Sequence, residues 1–394
     1  MGKTIVVVGG GASGLMAAIT AARAGAKVTI LEQNGKLGKK ILSTGNGRCN
    51  MTNLDQNPAC YRSSVPSFAQ KVLETFSVEE TLSFFKELGI FSKNRNGYIY
   101  PRSNQAVSVV EALEMEARRL RIKCKTQEEV VSIEKMESGF SVLTKTWHYD
   151  CDSVIMACGS KASVIEGSNG SGYVLARKLG HTIIEPLPAL VGLKGIGTYF
   201  SKWAGVRCDA TVTLKIAEES IISDTGEIQL TDYGISGIPV FQISRYASRA
   251  LAEKQTVSVE LDFIPDMSEQ EIVEELIRLA ETDSSKKVRN LLTGLLPSKL
   301  IDTLVEKTDG IPEIAEKIKH FIIPIKEPMD FTHAQVCTGG VSCEEIDADT
   351  MESKRIPGIY FCGELTDVDG ACGGYNLQWA WSSGYLAGLS ASKE

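Results

Sequence analysis

The sequence predicts an α/β fold in which a Rossmann-like domain is interrupted by a β-barrel-like insert and a small helical insert. Near the N-terminus, a short apolar strand is followed by a glycine-rich turn and a helical pattern. Near the C-terminus, a second apolar strand is again followed by glycines and a helical pattern. Between them the chain changes to short alternating strands and then to amphipathic helices. These observations predict one parallel-sheet domain that is split in sequence.

The composition is that of a globular protein of roughly two to three domains, since 43% of the 394 residues are hydrophobic and 23% are charged. The net charge is −7 and no long run of Lys or Arg occurs, so nucleic acid is not an expected partner. No apolar stretch reaches the ~18 residues that a membrane span needs. The ten cysteines and four histidines are scattered, which predicts reduced thiols, no metal site and a cytoplasmic protein.

The N-terminal segment has the order strand, glycine turn, helix, strand and acid. Residues 4–8 are almost wholly apolar and β-branched, as in a strand that is buried on both faces. Residues 9–14 are Gly-Gly-Gly-Ala-Ser-Gly, and helical spacing of apolar residues begins at Ala12. A second apolar strand covers residues 27–31 and leads to Glu32.

This order predicts a dinucleotide-binding motif in which each residue type has a physical role. Gly9 permits the tight turn, Gly11 lets the backbone approach a pyrophosphate, and Gly14 lets helix and strand pack closely. The helix N-terminus offers free N–H groups and a positive dipole end to the phosphates. Glu32, about twenty residues on, can accept both ribose hydroxyls and would repel a 2′-phosphate, which argues against NADP. The motif alone does not distinguish FAD from NAD.

A polar segment at residues 38–53 favours FAD. It has too many Gly, Asn, Ser and Thr for the interior of a helix or strand, which predicts a loop. Its backbone and side-chain donors, with Lys39, Lys40 and Arg48, can wrap a pyrophosphate and the edge of a flavin. The alternative is a solvated basic loop.

A second strand–glycine–acid–helix unit lies at residues 358–388. An apolar strand leads to Gly363, Glu364 and Asp367, and Gly373-Gly374 then opens a helix from about Leu377 to Leu389. The glycines allow a ligand to lie against the backbone, and the free N–H groups of the helix would face the pyrimidine edge of a flavin. NAD needs no such unit, whereas FAD is long enough to need both ends of the chain.

A third segment brings the chain back to the same cofactor. Residues 152–160 form an apolar strand that ends in a small-residue turn, after a β-rich stretch at residues 129–133. Backbone near Val130 can meet the adenine. The alternative is that both are core strands only.

These motifs resemble those of the bacterial BaiN-like flavoproteins, also called aminoacetone-oxidase-family or NAD(P)/FAD-dependent oxidoreductases. The similarity extends essentially from end to end. The matching segments are residues 6–14, 38–53, 157–172, 230–237, 338–341 and 363–388, of which 43–50 and 373–378 are the most specific. The chain departs from the family pattern at Cys158, Ser160 and Cys337, and by having Gly237-Ile238-Pro239 in place of Gly-Pro; these small changes do not threaten FAD binding.

The resemblance implies a discontinuous FAD domain. We predict its two parts at residues 1–190 and 326–394, a β-rich insert at 191–263 and a helical insert at 264–325. Alternating strands at 210–216 and 257–261 support the β-rich part. A capping box formed by Ser268 and Glu271 supports the helical part.

The cofactor-binding residues that we predict are Gly9, Gly11, Ala12, Ser13, Gly14, Glu32, Gln33, Lys39, Lys40, Ser43, Gly45, Asn46, Gly47, Arg48, Cys49, Asn50, Thr52, Val130, Ala157, Cys158, Gly159, Gly363, Glu364, Asp367, Gly374, Tyr375, Asn376, Leu377 and Gln378. No catalytic residue is assigned. Candidates for an acid or base near the flavin are Arg48, Asn50, Tyr100, Arg102 and Tyr375.

No second strand–G-x-G-x-x-G–helix unit occurs, so a dedicated NADPH domain is not expected. NAD(P)H is then a transient electron donor, or the substrate itself reduces FAD. The predicted function is an FAD-dependent oxidoreductase that acts on a small organic or steroid-like substrate, by C=C reduction or amine oxidation. The alternatives are an RNA-modifying flavoprotein and a flavin-binding regulatory protein without turnover. The oligomeric state is not predicted.

Overall fold

The computed structural model describes residues 2–163, 165, 167–282, 286–306 and 308–393. Positions 164 and 166 of the predicted segment 157–172 lie outside the described residues, as do 283–285 and 307 of the predicted helical insert. Within the described ranges, no helix is both long and apolar enough to cross a membrane. The same residues contain no group of three or more His, Cys, Asp or Glu side chains that could hold a metal ion.

Among the helices of the described residues, the sequence predicts the one that begins at Ala12, the one that follows the Ser268 capping box and the one near the C-terminus. The helices are α1 (Ala12–Arg23), α2 (Lys39–Ser43), α3 (Phe68–Thr75), α4 (Val78–Glu87), α5 (Ala106–Arg119), α6 (Ser171–Lys178), α7 (Phe200–Trp203), α8 (Ile238–Ala252), α9 (Glu269–Thr282), α10 (Val288–Leu291), α11 (Ser298–Leu304), α12 (Ile311–Lys319) and α13 (Tyr375–Ser392). The predicted capping box precedes α9, where Ser268 and Glu271 exchange hydrogen bonds with each other's backbone N–H groups.

The strands form one parallel sheet, one closed barrel and several small sheets. They are β1 (Thr4–Val8), β2 (Lys27–Glu32), β3 (Thr52–Asn53), β4 (Tyr61–Arg62), β5 (Ser92–Arg95), β6 (Tyr98–Pro101), β7 (Lys123–Thr126), β8 (Val130–Lys135), β9 (Phe140–Thr144), β10 (His148–Cys151), β11 (Ser153–Met156), β12 (Ile183–Ala189), β13 (Leu193–Gly195), β14 (Arg207–Ile216), β15 (Glu219–Leu230), β16 (Gly234–Gly237), β17 (Val257–Asp262), β18 (Phe321–Pro328), β19 (Val336–Val341), β20 (Ile359–Phe361) and β21 (Asp369–Gly370).

The chain divides into two compact units. The first comprises Met1–Pro186 and Val336–Glu394, and the second comprises Leu187–Gln335. In the first unit the parallel sheet has the order β20-β11-β1-β2-β7. The N-terminal strand β1 is therefore central, and the C-terminal strand β20 lies in the same sheet. The predicted Rossmann-like fold is confirmed, with strands from both ends of the chain in one sheet.

The second unit contains a closed six-stranded barrel of order β13-β16-β15-β14-β17-β18. Strand β17 alternates buried and half-buried residues, as expected of a strand with one face in a barrel core. The barrel takes its last strand from residues 321–328, beyond the range 191–263 in which we expected the β-rich insert, and α8 lies inside that range. Strand pairing explains this difference. Strand β17 pairs antiparallel with β18, so the barrel closes only when the chain returns at residues 321–328. The predicted four-part division itself stays a prediction.

Helices α1 and α13 pack against each other at very short range in the first unit. A Cβ atom at Gly384 would stand 2.5 Å from the Ser13 carbonyl oxygen, and one at Gly388 would clash with the carbonyl oxygen of Ala17. Glycines four residues apart on α13 thus face small residues four apart on α1, so the two backbones can approach. This contact joins the first helix of the chain to the last.

A buried hydrogen-bond network ties residues 181–182 to residues 345–355 in the same unit. His181 Nδ1 lies 3.0 Å from Glu345 Oε2, and its Nε2 lies 2.9 Å from Ser353 Oγ. Burial acts to raise the pKa of Glu345, but hydrogen bonds from Arg355 and Thr182 outweigh it and lower that pKa to about 2. Burial lowers the pKa of His181, against the opposing influence of Glu345. Both groups therefore bind protons less readily in the folded chain.

We expect the Gly388→Ala variant to lower the midpoint of thermal unfolding, because its methyl group overpacks the α1–α13 contact at a cost of about 1–3 kcal/mol. The Gly35→Ala variant is the control, since no described atom lies within 4 Å of the Cβ position there. Differential scanning calorimetry of both variants measures the difference. Equal midpoints would contradict the close packing.

We expect the free energy of unfolding to fall as the pH decreases. The contribution of His181 is lost below its unfolded pKa of 6.5, and that of Glu345 is lost between its unfolded pKa of 4.5 and about 2.

The Glu345→Gln variant should be destabilised at pH 7 by about 1–3 kcal/mol, because it removes a charge-assisted bond to Arg355. Its stability should also vary less with acid pH. Urea titrations at several pH values test this, with Glu137→Gln, an exposed carboxylate, as control. Parallel curves for Glu345→Gln and wild type would refute it.

Candidate active site

The three N-terminal glycines Gly9, Gly11 and Gly14 differ in what surrounds them. Gly9 has φ +108°, and a Cβ there would clash with the Ala157 carbonyl oxygen. A Cβ at Gly14 would clash with the Gly9 carbonyl oxygen. At Gly11, no other described atom lies within 4 Å of the Cβ position. Gly9 and Gly14 are therefore required by the protein itself, whereas Gly11 borders open space of the kind that a pyrophosphate needs.

The helix that follows is ready to bind an anion. Gly11 is the N-cap residue of α1, and no side chain of the described residues caps the helix there. Ala12 and Ser13 form its first turn, with Ser13 buried. Backbone N–H groups in this turn have no intrahelical acceptor and lie at the positive end of the helix dipole.

Glu32 lies at the end of β2, beside the glycine turn. Its Oε2 accepts a hydrogen bond of 2.8 Å from the Gly10 N–H, and its Oε1 accepts two from Asn34. The Glu128 N–H also donates to the Glu32 carbonyl oxygen, which brings the start of β8, and with it Val130, towards the same end of the sheet. The structure thus gathers the predicted adenosine-binding residues around one strand end.

Gln33 and Lys39, which follow Glu32 in the sequence, make further hydrogen bonds in this region. Gln33 donates to the Gly167 carbonyl oxygen at 2.7 Å and accepts from Asn169. Lys39 donates to Asn34 at 3.1 Å. The sequence did not point to Asn34, whose backbone and side-chain N–H groups both donate to Glu32.

We expected the segment 38–53 to be a loop, but it contains α2 and ends in β3. Gly38 begins α2 in the left-handed conformation, and Ile41 is buried in the core, which stabilises this short helix. Ser43 donates to the Lys40 carbonyl oxygen within it. The remainder is irregular: Gly45, Asn46, Gly47 and Cys49 all have positive φ, and Arg48 among them is exposed.

An ion pair joins the two predicted flavin-binding segments. Lys40 Nζ lies 2.6 Å from Glu364 Oε2, across 324 residues of sequence. The Glu364 Oε1 accepts from the Cys337 N–H at 3.3 Å. Glu364 is one of the predicted cofactor-binding residues, and its position at this junction keeps it beside the predicted site.

Asn50 and Gly374 form the most informative contact between those segments. Asn50 is nine-tenths buried, and its Oδ1 has no hydrogen-bond partner among the described residues. A Cβ at Gly374 would lie 3.0 Å from that oxygen. Gly374, with φ +100°, is the N-cap residue of α13. A buried polar atom without a partner, beside a helix N-terminus, fits a polar ligand that completes the site.

The first turn of α13 contains both buried and half-buried side chains. Tyr375 is buried and packs edge-on against Tyr61, while Leu377 is half-buried. The Asn376 side chain bonds the backbone of Gly370, which shapes the turn before the helix. These positions hold the helix start in place.

Three other predicted residues, Gln378, Thr52 and Asp367, are engaged within the core. The Gln378 side chain is fully buried and is bonded to Thr52, Thr81 and Ser382. Asp367 accepts a hydrogen bond from the Ser64 N–H. Thr52 and Gln378 therefore link the two segments from inside, rather than from the open side.

The turn after β11 carries Ala157, Cys158 and Gly159. Ala157 lies against Gly9, and the Cys158 thiol donates to the Val8 carbonyl oxygen at 3.5 Å. Gly159 has φ +69° with no described atom within 4 Å of its Cβ position. At Gly363, a Cβ would clash with the Ser13 hydroxyl, so this second glycine turn lies directly on the first.

The thiols of this region are kept protonated. Burial raises the pKa of Cys49 and of Cys158 to about 12, and that of Cys337 to about 11. A neutral thiol is a poor nucleophile. Burial therefore disfavours the thiolate form of these three cysteines at neutral pH.

Two of the candidate acids and bases lie on the β5–β6 hairpin. Tyr100 approaches the irregular segment, since a Cβ at Gly45 would lie 3.4 Å from Tyr100 Cε1. The exposed Arg102 follows on the same hairpin, and its N–H bonds the Phe91 carbonyl oxygen.

Burial raises the pKa of Tyr375 well above that of an ordinary tyrosine. A phenol of that kind donates hydrogen bonds and stays neutral.

The fold and this site define a flavoprotein of the Rossmann type, an FAD-dependent oxidoreductase. A model of the family described as "HI0933-like protein Rossmann domain" matches residues 3–390, and the chain belongs to this family. The resemblance to BaiN-like flavoproteins that the motifs predict is thereby confirmed.

Two curated bacterial relatives match over their whole length. The 3-dehydro-bile acid Δ4,6-reductase of Clostridium scindens is 46% identical over 404 aligned positions, with 99% of each chain covered. The ribosomal RNA dihydrouridine synthase of Haemophilus influenzae is 31% identical over 411 positions, with 99% of this chain and 98% of the relative covered. Among solved structures, the 3-ketosteroid Δ1-dehydrogenase of Sterolibacterium denitrificans has a TM-score of 0.50 at 11% identity, covering 99% of this chain and 100% of that one. That structural likeness shows the fold alone.

We expect Gly11→Ala and Gly14→Ala to separate cofactor binding from folding. Alanine at Gly11 meets no protein atom but enters the open space at the helix start, so the FAD dissociation constant should rise about 10-fold, or ~1.4 kcal/mol, with unchanged stability of the FAD-free protein. Alanine at Gly14 should lower stability with or without FAD. Flavin fluorescence titration and thermal unfolding measure the two effects. Unchanged FAD affinity in Gly11→Ala would contradict the assignment.

Proposed function

We propose that this protein uses FAD to reduce a carbon–carbon double bond conjugated to a ketone in a small, steroid-like substrate. The observation that carries the proposal is the 46% identity, over 99% of both chains, to a 3-dehydro-bile acid Δ4,6-reductase. The sequence leaves C=C reduction and amine oxidation open, and this relative favours reduction.

The geometry of the first unit supports FAD as the cofactor. Open space at Gly11 fits its pyrophosphate, and the partnerless oxygen of Asn50 beside Gly374 fits its isoalloxazine end. When bound, FAD supplies the hydride chemistry. The N-terminus of α13 would stabilise negative charge on the reduced cofactor by roughly 0.3–1 kcal/mol, and more where the site is buried. Asn50 would orient the ring by hydrogen bonding.

We also propose NAD(P)H as a transient electron donor. The sequence contains no second strand–G-x-G-x-x-G–helix unit, so a dedicated nicotinamide-binding domain is not expected. Reduction of a double bond consumes two electrons that the substrate cannot provide. A donor that docks, transfers hydride and leaves would meet this requirement.

A second candidate function is the modification of ribosomal RNA. It rests on the 31% identity to a ribosomal RNA dihydrouridine synthase over 99% of this chain. Uridine becomes dihydrouridine by gain of two hydrogens across a double bond next to a carbonyl group, so the chemistry is of the same class. The net charge of −7 weighs against an RNA partner.

An anaerobic turnover assay tests the two candidates against each other. Purified holoenzyme is mixed with NADH or NADPH and either a 4-en-3-one steroid or unmodified ribosomal RNA. We expect loss of the enone absorbance with the steroid and no dihydrouridine in the RNA. Dihydrouridine formation without steroid reduction would replace the proposal with the second candidate. Heat-denatured holoenzyme controls for reduction by free flavin.

A further inference from the structure

A cationic face on the β5–β6 hairpin lies next to the predicted flavin site. In the antiparallel register Lys93 is opposite Tyr100, so the two side chains share a face. Side chains two residues along a strand point the same way, which adds Arg95 and, beyond the end of β6, Arg102 to that face. The ideal Cβ position of Gly45, 3.4 Å from the Tyr100 ring, shows that this face is turned towards residues 45–50.

Among the described residues, the charges on and beside this face have no acidic partners. Arg48, Lys93, Arg95 and Arg102 form no ion pair within the part of the chain that the structure describes, and the three arginines are exposed. The pKa of Lys93 is lowered, first by desolvation and then by the positive charges of Arg95, Arg102 and Arg48. Four mutually repelling cations in a chain of net charge −7 are an unfavourable arrangement that an anionic ligand would relieve.

Apolar and aromatic surface borders the same cations. The Arg95 guanidinium lies 5.7 Å from the centre of the Tyr100 ring. Phe91 is 64% exposed, and its carbonyl oxygen accepts the Arg102 N–H at 2.7 Å. A face that offers rings beside unpaired cations suits a ligand with an apolar body and an anionic end.

We propose that Lys93, Arg95 and Arg102 recognise the carboxylate of an amphipathic steroid-like substrate. The inference rests on the proposed function and names the residues that would select an acidic substrate at that site. Segment 45–50 joins the cationic face to Asn50 and so to the predicted flavin. The substrate's apolar rings would extend from the hairpin towards that end, with the carboxylate left at the hairpin.

The test compares a 4-en-3-one steroid carboxylic acid with its primary amide, which has nearly the same shape without the charge. The double variant Lys93→Gln/Arg95→Gln should lower kcat/KM for the acid about 5-fold, since each exposed charge contributes about 0.5 kcal/mol. The change should appear in KM and not in kcat. The amide should be reduced equally by variant and wild type. High salt should remove the wild-type preference for the acid.

Lys123→Gln, which removes an exposed cation from the edge strand β7, is the matched control and should change neither substrate. Measurements of the FAD content and the thermal midpoint of each variant exclude misfolding.

An equal loss for acid and amide, or a loss of ribosomal RNA binding without any difference between acid and amide, would overturn the inference. If wild type reduces neither steroid, the proposed function fails and the inference with it. If it reduces both equally, only the inference fails.

Discussion

The close approach of α1 and α13 is the constraint on which the site depends. Gly384 and Gly388 remove the side chains that would hold the helices apart, and the carbonyl oxygens of Ser13 and Ala17 take up the space. Because α1 starts at the first glycine turn and α13 at the last, this packing sets the distance between the two turns. A Cβ at Gly363 would clash with Ser13, so no space for a side chain remains between the two turns at this point.

Contacts between distant segments reinforce that arrangement from several directions. Lys40 pairs with Glu364, Thr52 bonds Gln378, and the Trp381 indole donates to the Met51 carbonyl oxygen. Each joins the segment 38–53 to the segment 363–381. Within the part of the chain that the structure describes, the Gly11 edge and Asn50 Oδ1 have no protein partner, so a bound molecule can complete the site there.

The sequence predicted the local motifs well because their chemistry is local. Strand β1, helix α1 and the position of Glu32 follow from apolar spacing and glycine placement over about thirty residues. The sequence did not predict α2, whose burial through Ile41 depends on tertiary packing. It also could not show that Gln378 points into the core, or that Asn50 is buried without a partner, since both depend on residues more than 300 positions away. The barrel's closure by residues 321–328 is likewise a long-range pairing.

The division of the first unit into two stretches of chain has a consequence for protein synthesis. A ribosome completes the glycine turn, Glu32 and segment 38–53 early, and then makes the whole of Leu187–Gln335 before β20 and α13 emerge. At roughly 5–20 residues per second, that interval is long compared with the folding of a small domain. The nascent first half exposes the edge of β11, where β20 will pair. Cofactor capture is thus a late event of biogenesis, and the barrel unit has time to fold first.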